Sequence, residues 1–324
     1  MNLTITKEKL SLFKQIEEKI KKYQNIIIFH HIRPDGDCLG SQFGMKHLLK
    51  ENFPNKNIFT IGDPKGSFPF LDFKMDKIEN KPIENSLAII VDANFKERLE
   101  CRNLLDNNIF NETIRIDHHP NDDDLNASIR VEPEAPAAAQ QVTELAYHLN
   151  KMNKEAATYL YLGIYTDSVR LTTNTTTAKT MALVSYLEHN ANKNLIHSEM
   201  TKKTLKDIRI NAFIQQNMKI ENQVVSFYFD LKNQKKLGIL DPLQANRPFT
   251  LASIDDNKIV FFTQEETNKI RCEFRSNGPC VRNVAIKGGG GHHRASGAQI
   301  DNANKIPQII KDCENEVLNL KEYE

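Results

Sequence analysis

The stretch Ile26-Ile27-Ile28-Phe29-His30-His31-Ile32-Arg33-Pro34-Asp35-Gly36-Asp37 reads as a buried strand running into a polar loop. Consecutive apolar residues, mostly β-branched and bounded by polar neighbours, suit a strand covered on both faces. Pro34 restricts the backbone and Gly36 frees it, so Asp35 and Asp37 can be turned towards one cavity. The plainer reading of this loop is a polar turn capping the next helix, with Asp37 as N-cap. Upstream, Leu10, Phe13, Ile16 and Ile20 recur at helical spacing and predict a helix over 8–22. Downstream, a helix is predicted to about residue 50. Gly40 and Gly44 share its face, which suggests close packing on a sheet.

The same arrangement recurs. Residues 57–61 read as a strand, Leu87-Ala88-Ile89-Ile90-Val91 as a stronger one ending at Asp92, and 113–116 as another ending at Asp117-His118-His119. Open α/β sheets place ligand sites at the carboxyl ends of their strands, so these distant segments can meet. From about 135 to 190 the pattern turns helical, clearest over 137–149 and 154–165, and Asp167 follows the second of these. The polar stretch 190–203 reads as the start of a linker, and 204–216 as a bridging helix. After 217 the character changes. Residues 224–229, 258–262 and 269–274 read as strands, the last with Ile270, Cys272 and Phe274 alternating against polar neighbours. A glycine run, Gly288-Gly289-Gly290-Gly291, leads into His292. Ile306, Ile310, Cys313 and Val317 mark an amphipathic C-terminal helix with Pro307 in its first turn, where a missing N–H costs nothing. The fold class is α/β. Residues 1–195 form a domain with a mostly parallel sheet flanked by helices, 196–216 a linker and bridging helix, and 217–324 a smaller α/β domain.

Composition narrows the function. The chain has 324 residues, is 40% hydrophobic and 26% charged, and carries a formal net charge of +1. This is globular composition with enough chain for a large core. A binder of long duplex needs a strong basic surplus, which is absent; a short phosphorylated ligand needs only a few local cations. The 5 cysteines include no C-x-x-C pair and read as free thiols of a reducing compartment. The first residues lack the basic and apolar blocks of a signal peptide, and no apolar run approaches a membrane span. The expectation is a cytoplasmic protein without a membrane partner.

Each ionisable motif has an ordinary reading as a turn, a cap or a solvated histidine pair. Together they are more telling. Carboxylates and imidazoles supply oxygen and nitrogen ligands for divalent ions such as Mn²⁺. Paired ions also offset the repulsion among clustered aspartates, which otherwise raises some of their pKa values.

The ordered set His31-Ile32-Arg33-Pro34-Asp35-Gly36-Asp37, Val91-Asp92, Asp117-His118-His119, Thr166-Asp167 and Gly288-Gly289-Gly290-Gly291-His292 resembles the DHH phosphoesterase family, over nearly the whole chain. The likeness is greatest to its two-domain oligoribonuclease branch. The resemblance implies an N-terminal DHH domain facing a DHH-associated C-terminal domain across a cleft, with two divalent metal ions, Mn²⁺ foremost. His31 and Asp35 would hold one ion, Asp37, His118 and Asp167 the other, and Asp92 would bridge them. Asp117 would orient a ligand. The implied catalytic residues are Asp92 and His119, the latter near the attacked phosphate. Arg275 and His292 would contact substrate, with Ser276, Asn283, Gly289, Gly290, Gly291 and Arg294 as further contacts. Cys38 and Arg170 depart from common family variants and bear on substrate preference more than on catalysis.

The implied activity is metal-dependent hydrolysis of short oligoribonucleotides to nucleoside 5′-monophosphates, and of 3′-phosphoadenosine 5′-phosphate to AMP and phosphate. The partners are therefore short single-stranded RNA or small phosphorylated nucleotides, and the resemblance permits a homodimer. The alternatives are a standalone phosphodiesterase for pApA or pGpG, an inorganic pyrophosphatase, against which the distal glycine-histidine motif argues, and a noncatalytic nucleotide-binding regulator.

Overall fold

The computed structural model describes residues 6–64, 68–119, 125, 127, 135–251, 254, 258–276, 280–285, 288–291 and 293–320. The chain divides into two compact units, Met1–Thr201 and Lys202–Glu324.

In the first unit, α1 (Lys7–Lys22) precedes β1 (Asn25–Phe29), α2 (Gly36–Asn52), β2 (Asn57–Thr60), β3 (Ser86–Val91), α3 (Arg102–Asp106) and β4 (Glu112–Ile116). Four helices follow: α4 (Ala138–Leu149), α5 (Lys154–Asp167), α6 (Ala178–Glu188) and α7 (Lys193–Thr201). The strands form a parallel sheet in the order β2-β1-β3-β4. Both faces are covered, which is why the strands read as continuous apolar runs. Ile26 and Ile28 of β1 join the core that includes Phe13, Phe43 and Leu160, while Ile27 and Phe29 join Ile90, Leu99 and Leu104 on the other face. The order reverses between β1 and β3, the kind of switch point where doubly wound sheets open a crevice.

Three local expectations are corrected. The N-cap of α2 is Asp35, whose carboxylate accepts from the Cys38 N–H at 3.0 Å; Asp37 lies inside the first turn and is buried. The glycine face of α2 packs on α5 rather than on the sheet. A Cβ at Gly40 would lie 2.6 Å from the Tyr159 carbonyl oxygen, and one at Gly44 would lie 2.5 Å from the Leu160 side chain. Finally, the polar stretch 190–203 contains α7, anchored in the first unit's core by Ile196, which is fully buried.

The second unit contains α8 (Leu205–Asn217), β5 (Lys219–Glu221), β6 (Val224–Phe229), α9 (Leu231–Lys236), β7 (Lys258–Glu266), β8 (Lys269–Arg275), α10 (Arg282–Ala285), β9 (Gly289–Gly291), β10 (Ala295–Ile300) and α11 (Ile306–Leu320). Its sheet runs β5-β6-β7-β8-β10-β9, with β6 and β7 parallel and the other pairs antiparallel. One face packs Phe227, Phe229 and Phe261 against Ile210 and Ile214 of α8; the other packs Phe262, Cys272 and Phe274 against α10 and α11. The glycine run forms the edge strand β9. No helix among the described residues is long and apolar enough to cross a membrane.

The helix contact makes an unequal prediction. At Gly40 the obstacle is backbone, whereas at Gly44 it is the Leu160 side chain, which can shift more readily than backbone. Gly40→Ala should lower urea-unfolding stability by about 1–3 kcal/mol, and Gly44→Ala by less. Equal losses would mean that the close approach of α2 and α5 is not the constraint.

Candidate metal centre

Three of the four strand ends deliver residues to one point. β1 leads into His31, β3 into Asp92 and β4 into Asp117-His118-His119. The strands are sheet neighbours in register, Phe29 beside Ile90 and Val91 beside Ile116, so their ends lie side by side. Asp92 continues the ladder through its N–H to the Ile116 carbonyl at 3.0 Å, then turns the chain at φ 54°. Aspartate tolerates this left-handed conformation better than most residues.

Asp92 sits between two imidazoles. His31 Nε2 is 3.3 Å from its Oδ2, and His118 Nε2 is 3.3 Å from its Oδ1. His31 Nε2 also lies 3.7 Å from Asp35. His118 Nε2 lies 3.7 Å from Asp37 and 3.4 Å from Asp167, which the last turn of α5 delivers. The structure thus brings together all six residues expected as ligands: His31, Asp35, Asp37, Asp92, His118 and Asp167. Asp35 is at the rim, with 57% of its side chain exposed, while Asp37 and Asp92 are buried.

Backbone contacts orient the rings. His31 Nδ1 is 2.9 Å from the Ile32 carbonyl and His118 Nδ1 is 3.1 Å from the Ala135 carbonyl. A ring that donates from Nδ1 carries its lone pair on Nε2, the tautomer a metal-binding histidine needs. Asp117 accepts at Oδ1 from the N–H groups of His118 and His119 and lies 2.7 Å from His119 Nδ1. His119 is therefore fixed through Nδ1, 3.6 Å from Asp92.

The charges are strongly coupled. Burial pushes the Asp37 carboxyl well above its ordinary range, and Asp92 and Asp167 add to the effect. Burial and the neighbouring Asp35 and Asp92 carry Asp167 up to about 7 against the pull of His118. Burial also opposes ionisation of Asp92, but the flanking His118 and His31 imidazoles outweigh it and hold this carboxyl well below the usual value. The two imidazoles are raised in turn. For His118, burial is outweighed by Asp92 and Asp167; for His31, by Cys38 and Asp92. Asp92 Oδ1 is buried without a hydrogen-bond partner. A carboxylate oxygen left without a hydrogen bond between imidazoles, among acids resisting ionisation, fits a divalent cation. Donor atoms of Asp37, His118 and Asp167 lie within 4.8 Å of one another, as do those of His31, Cys38 and Asp92, and of Asp92, His118 and His119.

Sequence reasoning missed several supports. Asp37 accepts from the Ala138 and Ala139 N–H groups at 2.6 and 2.8 Å, and from Ser41 at 3.1 Å. Arg115 is fully buried, with Nη2 3.5 Å from Asp117. Its alternation in β4 gave no hint of this. Arg170 is exposed in a left-handed run, Val169-Arg170-Leu171.

The second unit holds the residues expected at the substrate. Arg275 Nη2 donates to Glu273 at 3.1 Å and Nη1 to the Phe274 carbonyl at 2.7 Å, so much of its guanidinium is already engaged. The Ser276 N–H donates to the Arg294 carbonyl at 3.1 Å, and the Arg294 side chain is exposed. Gly289, Gly290 and Gly291 pair with Ala298, Gly297 and Ser296. Asn283 bonds instead to Glu316 on α11, at 3.4 Å. His292 lies outside the described residues.

The DHH family, N-terminal domain, matches residues 25–164, and the DHHA1 domain matches residues 183–319. A Mycoplasma pneumoniae protein named bifunctional oligoribonuclease and PAP phosphatase NrnA is 46% identical over 306 residues, covering 92% of this chain and 94% of the relative. The chain belongs to the DHH family. A Bacillus subtilis protein of the same name is 32% identical over 302 residues, covering 91% and 95% of the two chains. A solved exopolyphosphatase-related protein from Bacteroides fragilis matches with TM-score 0.81 and 20% identity over 99% of each chain, which shows a shared fold. The DHH match contains His31, Asp35, Asp37, Asp92 and His118, with Asp167 just beyond it, and the DHHA1 match contains the glycine strand.

The electrostatics predict a titration order for the cation-free protein. Burial pushes His30 down to about 4, whereas His31 and His118 lie well above 6.5. The unfolded chain binds a proton at residue 30 before the folded one does, so His30's contribution to stability falls as pH drops from 6.5 to about 4. Imidazole ¹⁵N shifts in chelator-treated protein should show His30 neutral near pH 5 and His118 protonated above its ordinary value. A His118 that loses its proton below 6.5 would contradict its pairing with Asp92.

Proposed function

We propose that the chain hydrolyses short oligoribonucleotides to nucleoside 5′-monophosphates and 3′-phosphoadenosine 5′-phosphate to AMP and phosphate. The observation that carries this reading is Asp92 held between His31 and His118, in a chain 46% identical to a relative named for both activities. His31 and Asp35 would hold one divalent ion, Asp37, His118 and Asp167 a second, and Asp92 would serve both. When bound, such ions make water a better nucleophile and neutralise charge on the phosphoryl oxygens. Mn²⁺ suits the mixed oxygen and nitrogen donors.

The chain's own groups do the rest. Asp117 fixes the His119 ring through Nδ1, and His119 is assigned to the attacked phosphate, stabilising charge or moving a proton. Water oxygen forms the new bond to phosphorus, the bond to the leaving oxygen breaks, and that oxygen takes a proton. Hydrolysis between nucleotides leaves a 5′-monophosphate, and hydrolysis of a terminal 3′-phosphate leaves AMP. Arg275, Ser276, the glycines of β9, His292 and Arg294 are assigned to substrate, and Asn283, which faces α11, to a lesser part.

Asp92→Asn should retain the circular-dichroism spectrum and lose at least about 10²-fold in turnover, roughly 2.7 kcal/mol of barrier. Chelation should abolish turnover, and Mn²⁺ should restore it. Short RNA, short DNA, 3′-phosphoadenosine 5′-phosphate, pApA, pGpG and pyrophosphate should be compared side by side. Turnover of pApA alone, or of pyrophosphate alone, defeats the assignment. So does full activity in Asp92→Asn.

A further inference from the structure

The face of the second sheet that packs on α8 changes character beyond β7. Phe261 of β7 belongs to the apolar core, but its register partner on β8 is Glu273. Arg271, Glu273 and Arg275 follow one another along this face. Opposite Glu273 on β10 is Gly297, and opposite Gly297 on β9 is Gly290. A Cβ at Gly290 would meet nothing within 4 Å. Opposite Glu273 the sheet thus ends in a low glycine floor, beside a row of two guanidinium groups and one buried carboxylate. Glu273 knits that row together. Its Oε1 accepts from Arg271 Nε and, at 3.2 Å, from Asn246 Nδ2, while its Oε2 accepts from Arg275.

Asn246 also ties down the segment that follows it. Pro248–Thr250 is a single 3₁₀ turn packed against β7 and β8, and it carries Phe249. Phe249 is 58% exposed, the more exposed of the two aromatic residues among the exposed large hydrophobic side chains of the described residues. An isolated exposed apolar residue needs no explanation. This one has a built mount. The Arg275 guanidinium carbon lies 5.3 Å from its ring centroid, in cation–π range, and Arg275 is itself held by Glu273 and the Phe274 carbonyl. Arginine engaged in this way is less available to grip phosphate and well suited to fixing a ring.

We propose that Phe249 is a stacking platform for a nucleobase of the substrate, backed by Arg275 and positioned through Glu273. This rests on the reading of the protein as a nucleotide phosphoesterase and adds the group that recognises the base. Stacking accepts every base, because each presents a π face, so the platform favours nucleotides over base-free phosphates without selecting sequence. The adjoining positive row gives the attached phosphates a favourable field.

The chain contains no Trp, so Phe249→Trp installs a lone tryptophan, excited selectively over the tyrosines, at the proposed contact. In the full chain, without divalent cations, 3′-phosphoadenosine 5′-phosphate should quench this tryptophan saturably, and ribose 5-phosphate should not. Phe249→Leu keeps an apolar side chain without a ring. By calorimetry it should bind 3′-phosphoadenosine 5′-phosphate about tenfold more weakly than the native protein, and in turnover it should raise KM for pApA more than it lowers kcat. Equal quenching by the two ligands, or native affinity in Phe249→Leu with an unchanged melting temperature, overturns the platform. The binding arms need no hydrolysis. Quenching in a protein that cleaves nothing supports the platform and defeats the proposed activity, whereas cleavage with an unchanged KM in Phe249→Leu does the reverse.

Discussion

Burying several carboxylates at one point is the constraint around which the first unit is organised. Asp37, Asp92 and Asp117 are nearly inaccessible, and Asp167 stands beside them. Unassisted, such a cluster would take up protons rather than remain charged. Three of these acids are given supports of their own. Asp37 receives the amides at the start of α4, whose partial positive charge is well placed for an anion. Asp92 has imidazoles on both sides. Asp117 has backbone amides, His119 and buried Arg115. The helix start, the strand ends and the histidine tautomers are parts of one electrostatic arrangement. Asp37 shows this most directly, because its carboxylate joins α2 to α4 across roughly a hundred residues of sequence.

The glycine seam serves the same end. Asp167 reaches His118 only because α5 lies almost against α2. The approach is close where Gly36 meets Thr166 and where Gly40 meets the backbone at Tyr159 and Gly163. Larger side chains along that face would hold α5 away and withdraw Asp167 from the cluster. Helix propensity is sacrificed at these positions for proximity, which explains why α2 tolerates glycines that an ordinary helix would avoid.

Much of this was legible in the sequence, for a physical reason. Parallel strands buried on both faces leave unbroken apolar runs, and the ionisable residues immediately after them mark one edge of the sheet. Once β1, β3 and β4 were recognised, His31, Asp92 and His118 were bound to lie near that edge. The partner of the glycine face was harder to read, because Gly40 and Gly44 show that something comes close without saying what. The cap was misplaced because Asp35 and Asp37 are chemically alike; only the backbone decides that the first meets the Cys38 amide and the second is buried. Arg115 was invisible, since a charged residue in a strand ordinarily points to solvent. α7 was hidden because a helix on the surface of the unit needs only Ile196 to anchor it.

The two halves solve different recognition problems. On the proposed function, the carboxylate cluster would deal with a phosphoryl group, whose charge and tetrahedral shape are common to all the proposed substrates. Nothing in that cluster distinguishes a nucleotide from any other phosphoester. Discrimination therefore requires a surface that meets the part of the substrate that does not react. The DHHA1 half provides one with unlike neighbours: the bare glycine floor of β9 and β10, the Arg271–Glu273–Arg275 row, and the exposed ring of Phe249. Glu273 is the informative residue in that group. A buried carboxylate between two arginines weakens a site intended only to attract phosphate, yet it is a natural means of holding a guanidinium beside a ring.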